Sequence, residues 1–259
     1  MVNPRESANA KIARAEETAV VLLHEIELLL KANPQPFLVT GELREGTNYV
    51  FTAHGALDVP VRFAVLFGEI MYHLRTALDH LLSALVRANG ALPTDNHQFP
   101  IASTPEKFVQ ALKRGDIKGV SQSAEAIIES LQPYHVPASE PALLNVLREF
   151  NNVDKHRALV VVGGGAAIAN QLVIEESDGP ITLIGMSPPF VRKITEGGAQ
   201  FFEINLGERH DRFHARIGCR PAIVVENLAP LECATVHEVV AKMVGFIKHA
   251  VGQFETEFK

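Results

Sequence analysis

Tryptophan is absent from the chain, and cysteine occurs only twice, as Cys219 and Cys233. The two lie 14 residues apart and neither has a CxxC partner, so they suggest neither a disulfide framework nor a thiolate metal knuckle. Both are expected to be reduced, partly buried thiols. Positive charge is also scarce: 24 Lys and Arg stand against 30 Asp and Glu, a formal net charge of −6. A generic nucleic-acid coat is thereby disfavoured, because non-specific affinity for phosphates comes from clustered cations, although a local basic site is still compatible. Long apolar runs are missing too. The most apolar stretch near the N-terminus, Ala19 to Leu30, is interrupted by His24, Glu25 and Glu27. It is neither a secretory core nor the roughly 20 uninterrupted apolar residues of a membrane span. No membrane partner, no disulfide-linked partner and a cytoplasmic location are expected.

What is present is apolar material in ordered patterns, 47% of 259 residues, enough to bury a substantial core. From Ser7 to Lys31, Ile12, Ala15, Ala19, Leu22, Ile26 and Leu29 recur at helical spacing until Asn33-Pro34. Between Phe37 and Ala53, Phe-Leu-Val-Thr and Tyr-Val-Phe-Thr flank Arg44 to Asn48, the pattern of a hairpin. Asp58-Val59-Pro60 then marks a helix start, with Asp58 as the capping carboxylate, and the periodicity runs from Val61 to Ala88, where Asn89-Gly90 stops it. Shorter helices are predicted from Thr104-Pro105 to about Lys113, from Ser121 or Ser123 to about Leu131, and from Glu140-Pro141 to about Arg157. Strands follow at Leu159–Val162, Gln171–Ile174, Ile181–Ile184, Gln200–Asn205 and Ile223–Val225, and a last helix carries Val236, Val240, Met243, Ile247 and Phe254 on one face. The class is α+β. N-terminal, central and C-terminal helices form a bundle packed with an antiparallel β-sheet, in one unit over 1–259, with a helical core at about 60–157 and mainly β segments at about 36–54 and 158–228.

The Val61–Ala88 helix carries most of the chemistry. At about 100° per residue, Phe63, Phe67, Ile70, Leu74, Leu78, Leu81 and Leu85 form one core-facing stripe. Glu69, His73 and His80 lie on one flank of it; Arg75 and Asp79, at i and i+4, lie on the other. Groups at the rim of a core are where desolvation shifts pKa values, but Arg75 and Asp79 also read as a plain structural ion pair. A second polar cluster, Asn151-Asn152-Val153-Asp154-Lys155-His156-Arg157, continues the helix whose buried face is Leu143, Leu144, Leu147 and Phe150. The spacing turns Asp154 inward, and a buried carboxylate needs a partner, so the two clusters are expected to meet through His80, His73 or Arg75, with His156 at the edge.

The strings His73-Leu74-Arg75-Thr76-Ala77-Leu78-Asp79-His80, Phe99-Pro100-Ile101 and Asn152-Val153-Asp154-Lys155-His156-Arg157 resemble those of a group of bacterial proteins without an assigned activity. Arg75 and His80 also resemble the Arg-x4-6-His motif of the HEPN superfamily, with Thr76 where that motif usually has Asn, Asp or His. That resemblance implies a metal-independent ribonuclease or nucleotide-binding protein acting on RNA. His80 would be the acid/base, Arg75 the phosphate clamp and Asp154 the partner of His80; Asp79, His73, His156 and Arg157 would assist binding, and two chains would pool their Arg-His pairs in a homodimer. No cofactor is needed in this reading. The alternative is a divalent metal on Glu69, His73, His80, Asp154 and His156, although His73 and His80 stand about 10.5 Å apart along the helix. A non-catalytic scaffold is the third reading. Gly163-Gly164-Gly165 completes no phosphate-loop pattern and reads as a bulge or turn, while His210 and His214, among flanking charges, read as a solvated loop or edge strand.

Overall fold

Two long helices, α1 (Pro4–Ala32) and α2 (Val61–Ala88), pack along each other in the computed structural model, which describes residues 4–156, 162–182, 185–186, 192–194, 197–225, 231 and 234–258. The sequence dictates this pairing directly. All seven stripe residues of α2 are buried, and Ala8, Ile12, Ala15, Ala19, Leu22 and Ile26 of α1 bury the matching face, with alanines allowing close approach. α2 begins after Pro60, which caps it without a side-chain hydrogen bond, so Asp58 does not serve as the expected cap. At the other end Asn89 caps the helix and Gly90 takes φ +80°, a backbone state that favours glycine.

Three shorter helices add to the same core, and of these α5 packs against α2. α3 (Pro105–Arg114) is capped by Thr104, α4 (Gln122–Ser130) by Ser121, and α5 (Leu143–His156) buries Leu144, Leu147 and Phe150. The Phe150 ring meets Phe67 edge-on at 5.4 Å. α6 (Val236–Gly252) starts in a capping box of Thr235 and Glu238 and closes the helical core with Val239, Val240, Met243 and Ile247.

The strands build a second apolar centre. β1 (Phe37–Arg44) and β2 (Asn48–Gly55) form the expected hairpin, and β6 (Ala199–Asn205) and β4 (Gly185–Met186) extend it in the order β1-β2-β6-β4. A separate sheet orders as β5-β3-β7, from β3 (Val162–Ser177), β5 (Arg192–Lys193) and β7 (Phe213–Val225). Every pairing is antiparallel. Tyr49, Phe51, Phe201, Phe202, Ile204, Phe213, Ala215 and Ile217 pack together in this second core, so the α+β reading holds.

Several strand expectations change. Gly163 to Gly165 is neither bulge nor turn: it is a laddered part of β3 opposite Val224, Ile223 and Ala222. A Cβ on Gly164 would lie 2.8 Å from Leu57 Cβ, so glycine there permits a close chain approach. Gln171–Ile174 lies inside the same strand, and Ile223–Val225 is the end of the 13-residue β7. Ile181 and Thr182 are not strand, while Leu159 to Val161 and residues 183–184 lie outside the described residues. Cys219 is a half-buried free thiol whose pKa burial pushes up to about 11, and Cys233 lies outside the described residues. Among the described residues no helix is long and apolar enough to cross a membrane.

Candidate functional site

Arg75 and Asp79 stand one turn apart on α2 and bond to each other, Nη2 to Oδ1, at 3.0 Å. The same two atoms grip a third group. Nη2 also donates to the Phe99 carbonyl at 2.8 Å, and Asp79 Oδ1 accepts the Phe99 N–H at 2.9 Å. Phe99 sits in the non-helical segment 98–102, which belongs to no described strand: the Gln98 N–H bonds to the Asp116 carbonyl, and side chains from three helical regions bond the backbone of Phe99 to Ala102. Gln132, fully buried just beyond α4, donates to the Pro100 carbonyl (3.1 Å) and accepts the Ala102 N–H (2.8 Å). Arg148 of α5 donates to the Ile101 carbonyl at 3.2 Å. Buried backbone groups need partners, and here a carboxamide and two guanidiniums replace a sheet.

That braced segment is one wall of an open cavity of about 390 Å³. Arg75, Lys107, Arg114 and Arg148 bring four cations to its lining, Gln98, Gln110 and Asn151 bring carboxamides, and Asp116 is the one carboxylate among the described lining residues. Arg114 is paired with Asp116 at 2.7 Å and Arg148 with Glu149 at 2.9 Å. Lys107 Nζ bonds to Ser103 Oγ at 2.9 Å and has no carboxylate partner among the described residues. Arg75 is only 13% exposed; burial pushes its guanidinium pKa down and Asp79 opposes the shift, and a guanidinium stays charged under such conditions. Both hydrogens of its Nη2 are engaged, which leaves the N–H groups of Nε and Nη1 without partners among the described residues.

The other flank of α2 faces α1. His80 is hydrogen-bonded to Ser7 Oγ through Nδ1 at 2.8 Å, and it does not line the cavity that Arg75 lines. One chain therefore brings Arg75 together with Asp79 but not with His80. Glu69 is exposed, and His73 has a buried Nδ1 without a hydrogen bond. Among the described residues no three His, Cys, Asp or Glu side chains gather as a metal site. The expected meeting with Asp154 falls outside what is described: α5 runs to His156, but the side chains of Asp154 and His156, and Arg157 entirely, lie outside the described residues.

Burial pushes the His73 imidazole below its ordinary value, with Lys11 and Arg14 adding to the shift and Glu69 opposing it. The unfolded chain takes up this proton at about pH 6.5, before the folded chain does, so stability falls as pH drops below that value and levels off below the folded-state pKa. Urea midpoints at pH 8 and pH 5.5 should fall further for the wild type than for His73→Gln. An equal fall would show that His73 does not contribute.

Sequence reasoning missed Gln132, Lys107, Arg114 and Arg148, which carry no motif or period. It also misplaced His210, which is 3% exposed rather than solvated. Its Nδ1 pairs with Asp178 Oδ1 at 3.0 Å, while Asp178 Oδ2 accepts the N–H groups of Asp211 and Arg212, so the charged string folds onto one carboxylate and the imidazole turns inward. His214 does lie exposed on β7, an edge strand of its sheet, as expected. Comparison with protein-family models, curated proteins and solved structures gives no match, so the site is read from its own chemistry.

Proposed function

We propose that the chain binds a phosphate-bearing ligand, a nucleotide or an RNA phosphate, in the Arg75 cavity. The observation that carries this reading is a guanidinium held by Asp79 and the Phe99 carbonyl, with donors that have no partner among the described residues, lining an open cavity beside three further cations. A volume of about 390 Å³ falls in the range of small-ligand sites. Phosphate oxygens are matched by Arg and Lys donors, and a donor fixed before binding loses little freedom on binding. Lys107, without a carboxylate partner among the described residues, adds positive charge to the lining.

The clamp role expected of Arg75 is the part of the ribonuclease reading that this geometry supports. His80, the acid/base of that reading, is held by Ser7 on the opposite flank, so binding is favoured over cleavage within one chain. Calorimetric titration with AMP, inorganic phosphate and a short RNA tests the proposal. Saturable binding of AMP or RNA is expected, and the Lys107→Gln/Arg114→Gln double variant should weaken it by about tenfold or more, ~1.4 kcal/mol for each factor of ten. Unchanged affinity in that variant, or no saturable binding by any of the three, would overturn it.

A further inference from the structure

A second cavity, of about 360 Å³, opens in the strand region, away from the residues of the first. It lies where β1 and β7, each the end strand of its own sheet, come side by side without pairing. Val39 and Gly41 of β1, Phe51 of β2 and Ala215 and Ile217 of β7 give it apolar walls, and Thr40, His214 and Arg216 give it a polar rim. The rim is held in place by a chain of contacts through three strands. The Tyr49 hydroxyl, on a side chain only 1% exposed, lies 3.0 Å from His214 Nδ1 and 3.4 Å from the Ala215 carbonyl, to which it donates. His214 Nε2 lies 3.3 Å from Glu175 Oε2, and the other oxygen of Glu175 pairs with Arg216. Gly41 makes this possible: a Cβ there would come within 2.4 Å of the Tyr49 hydroxyl, so glycine leaves the notch in which the phenol reaches the imidazole.

The geometry points to a binding site for a small carboxylate with an apolar body. The body would lie on Val39, Phe51 and Ile217, and the carboxylate would bond to the guanidinium hydrogens of Arg216 that Glu175 does not engage, with His214, held by Tyr49 and Glu175, forming the wall beside it. Glu175 fixes the Arg216 donor before the ligand arrives, and the volume suits a single-ring or short-chain acid. Phosphate lacks the body and a neutral amide lacks the charge.

Ligand-observed NMR on the full chain with benzoate, phenylacetate and hexanoate tests the assignment, with benzamide and inorganic phosphate as controls. Saturable binding of at least one acid is expected, at least fivefold stronger than that of benzamide, together with a loss of tenfold or more in Arg216→Gln and partial retention in Arg216→Lys. Arg216 is 73% exposed, so both variants are expected to fold, and circular dichroism checks this. Absence of binding by all three acids, benzamide binding as well as benzoate, or unchanged affinity in Arg216→Gln would each overturn the inference.

Discussion

Replacing Gln132 by leucine should lower the unfolding free energy by about 3 kcal/mol or more, a large share of the 5–15 kcal/mol typical of a domain. The volume is nearly conserved, so the loss comes from hydrogen bonding. Gln132 is fully buried and makes three bonds: Nε2 to the carbonyls of Ile128 (2.8 Å) and Pro100 (3.1 Å), and Oε1 from the Ala102 N–H (2.8 Å). Leucine leaves two backbone groups of the 98–102 segment without partners in an apolar surround, each costing about 1–3 kcal/mol. Gln132→Glu keeps the acceptor for Ala102 but buries a charge and loses the donors, so it should be worse at pH 8 than at pH 5. Urea denaturation measures both, and a Gln132→Leu variant within about 0.5 kcal/mol of wild type would show that the segment holds itself.

The second large effect is expected at Asp79. Its carboxylate, 34% exposed, is the counter-charge of the 13% exposed Arg75 and the acceptor of the Phe99 N–H. Asp79→Ala leaves a mostly buried cation unpaired and a buried N–H unmade, which for full burial costs about 3–5 kcal/mol and after allowing for solvent at Asp79 about 2–4 kcal/mol. Asp79→Asn keeps an oxygen for both donors and loses only the charge, so it should lose about half as much. Denaturation of the two variants side by side separates hydrogen bonding from charge, and equal losses would assign the whole effect to charge. A Tm unmoved in either would mean that Arg75 finds its partners elsewhere.

What was legible in the sequence followed the range of the interaction. The bounds of α2 could be read because 28 residues of one period end in Asn89-Gly90, and its seven stripe residues are buried. The Arg75–Asp79 pair was legible because i and i+4 are neighbours on any helix. Gln132 was not, because its three bonds go to backbone groups that carry no side-chain signature, two of them about 30 residues upstream. The first half of β7 was legible only in part. Phe213, His214, Ala215, Arg216 and Ile217 alternate buried and exposed with period 2, but the charges between them left a solvated loop and an edge strand equally open. Gln171–Ile174 of β3 was legible, but the strand's continuity through Gly163 to Gly165 was not, since glycine has little strand preference of its own and is held there by the ladder and by Leu57.

The placement of α6 bears on the order in which the molecule acquires its structure. α1 and α2 precede α6 by more than 140 residues, yet Val239, Val240, Met243 and Ile247 fill the same core that they line. Between α2 and α6 in the sequence come all the described strands except the first hairpin, together with their non-local pairings. The part of the α1–α2 apolar face that α6 covers is therefore closed only once the chain beyond Val236 is in place, so this core depends on a contact of long sequence separation.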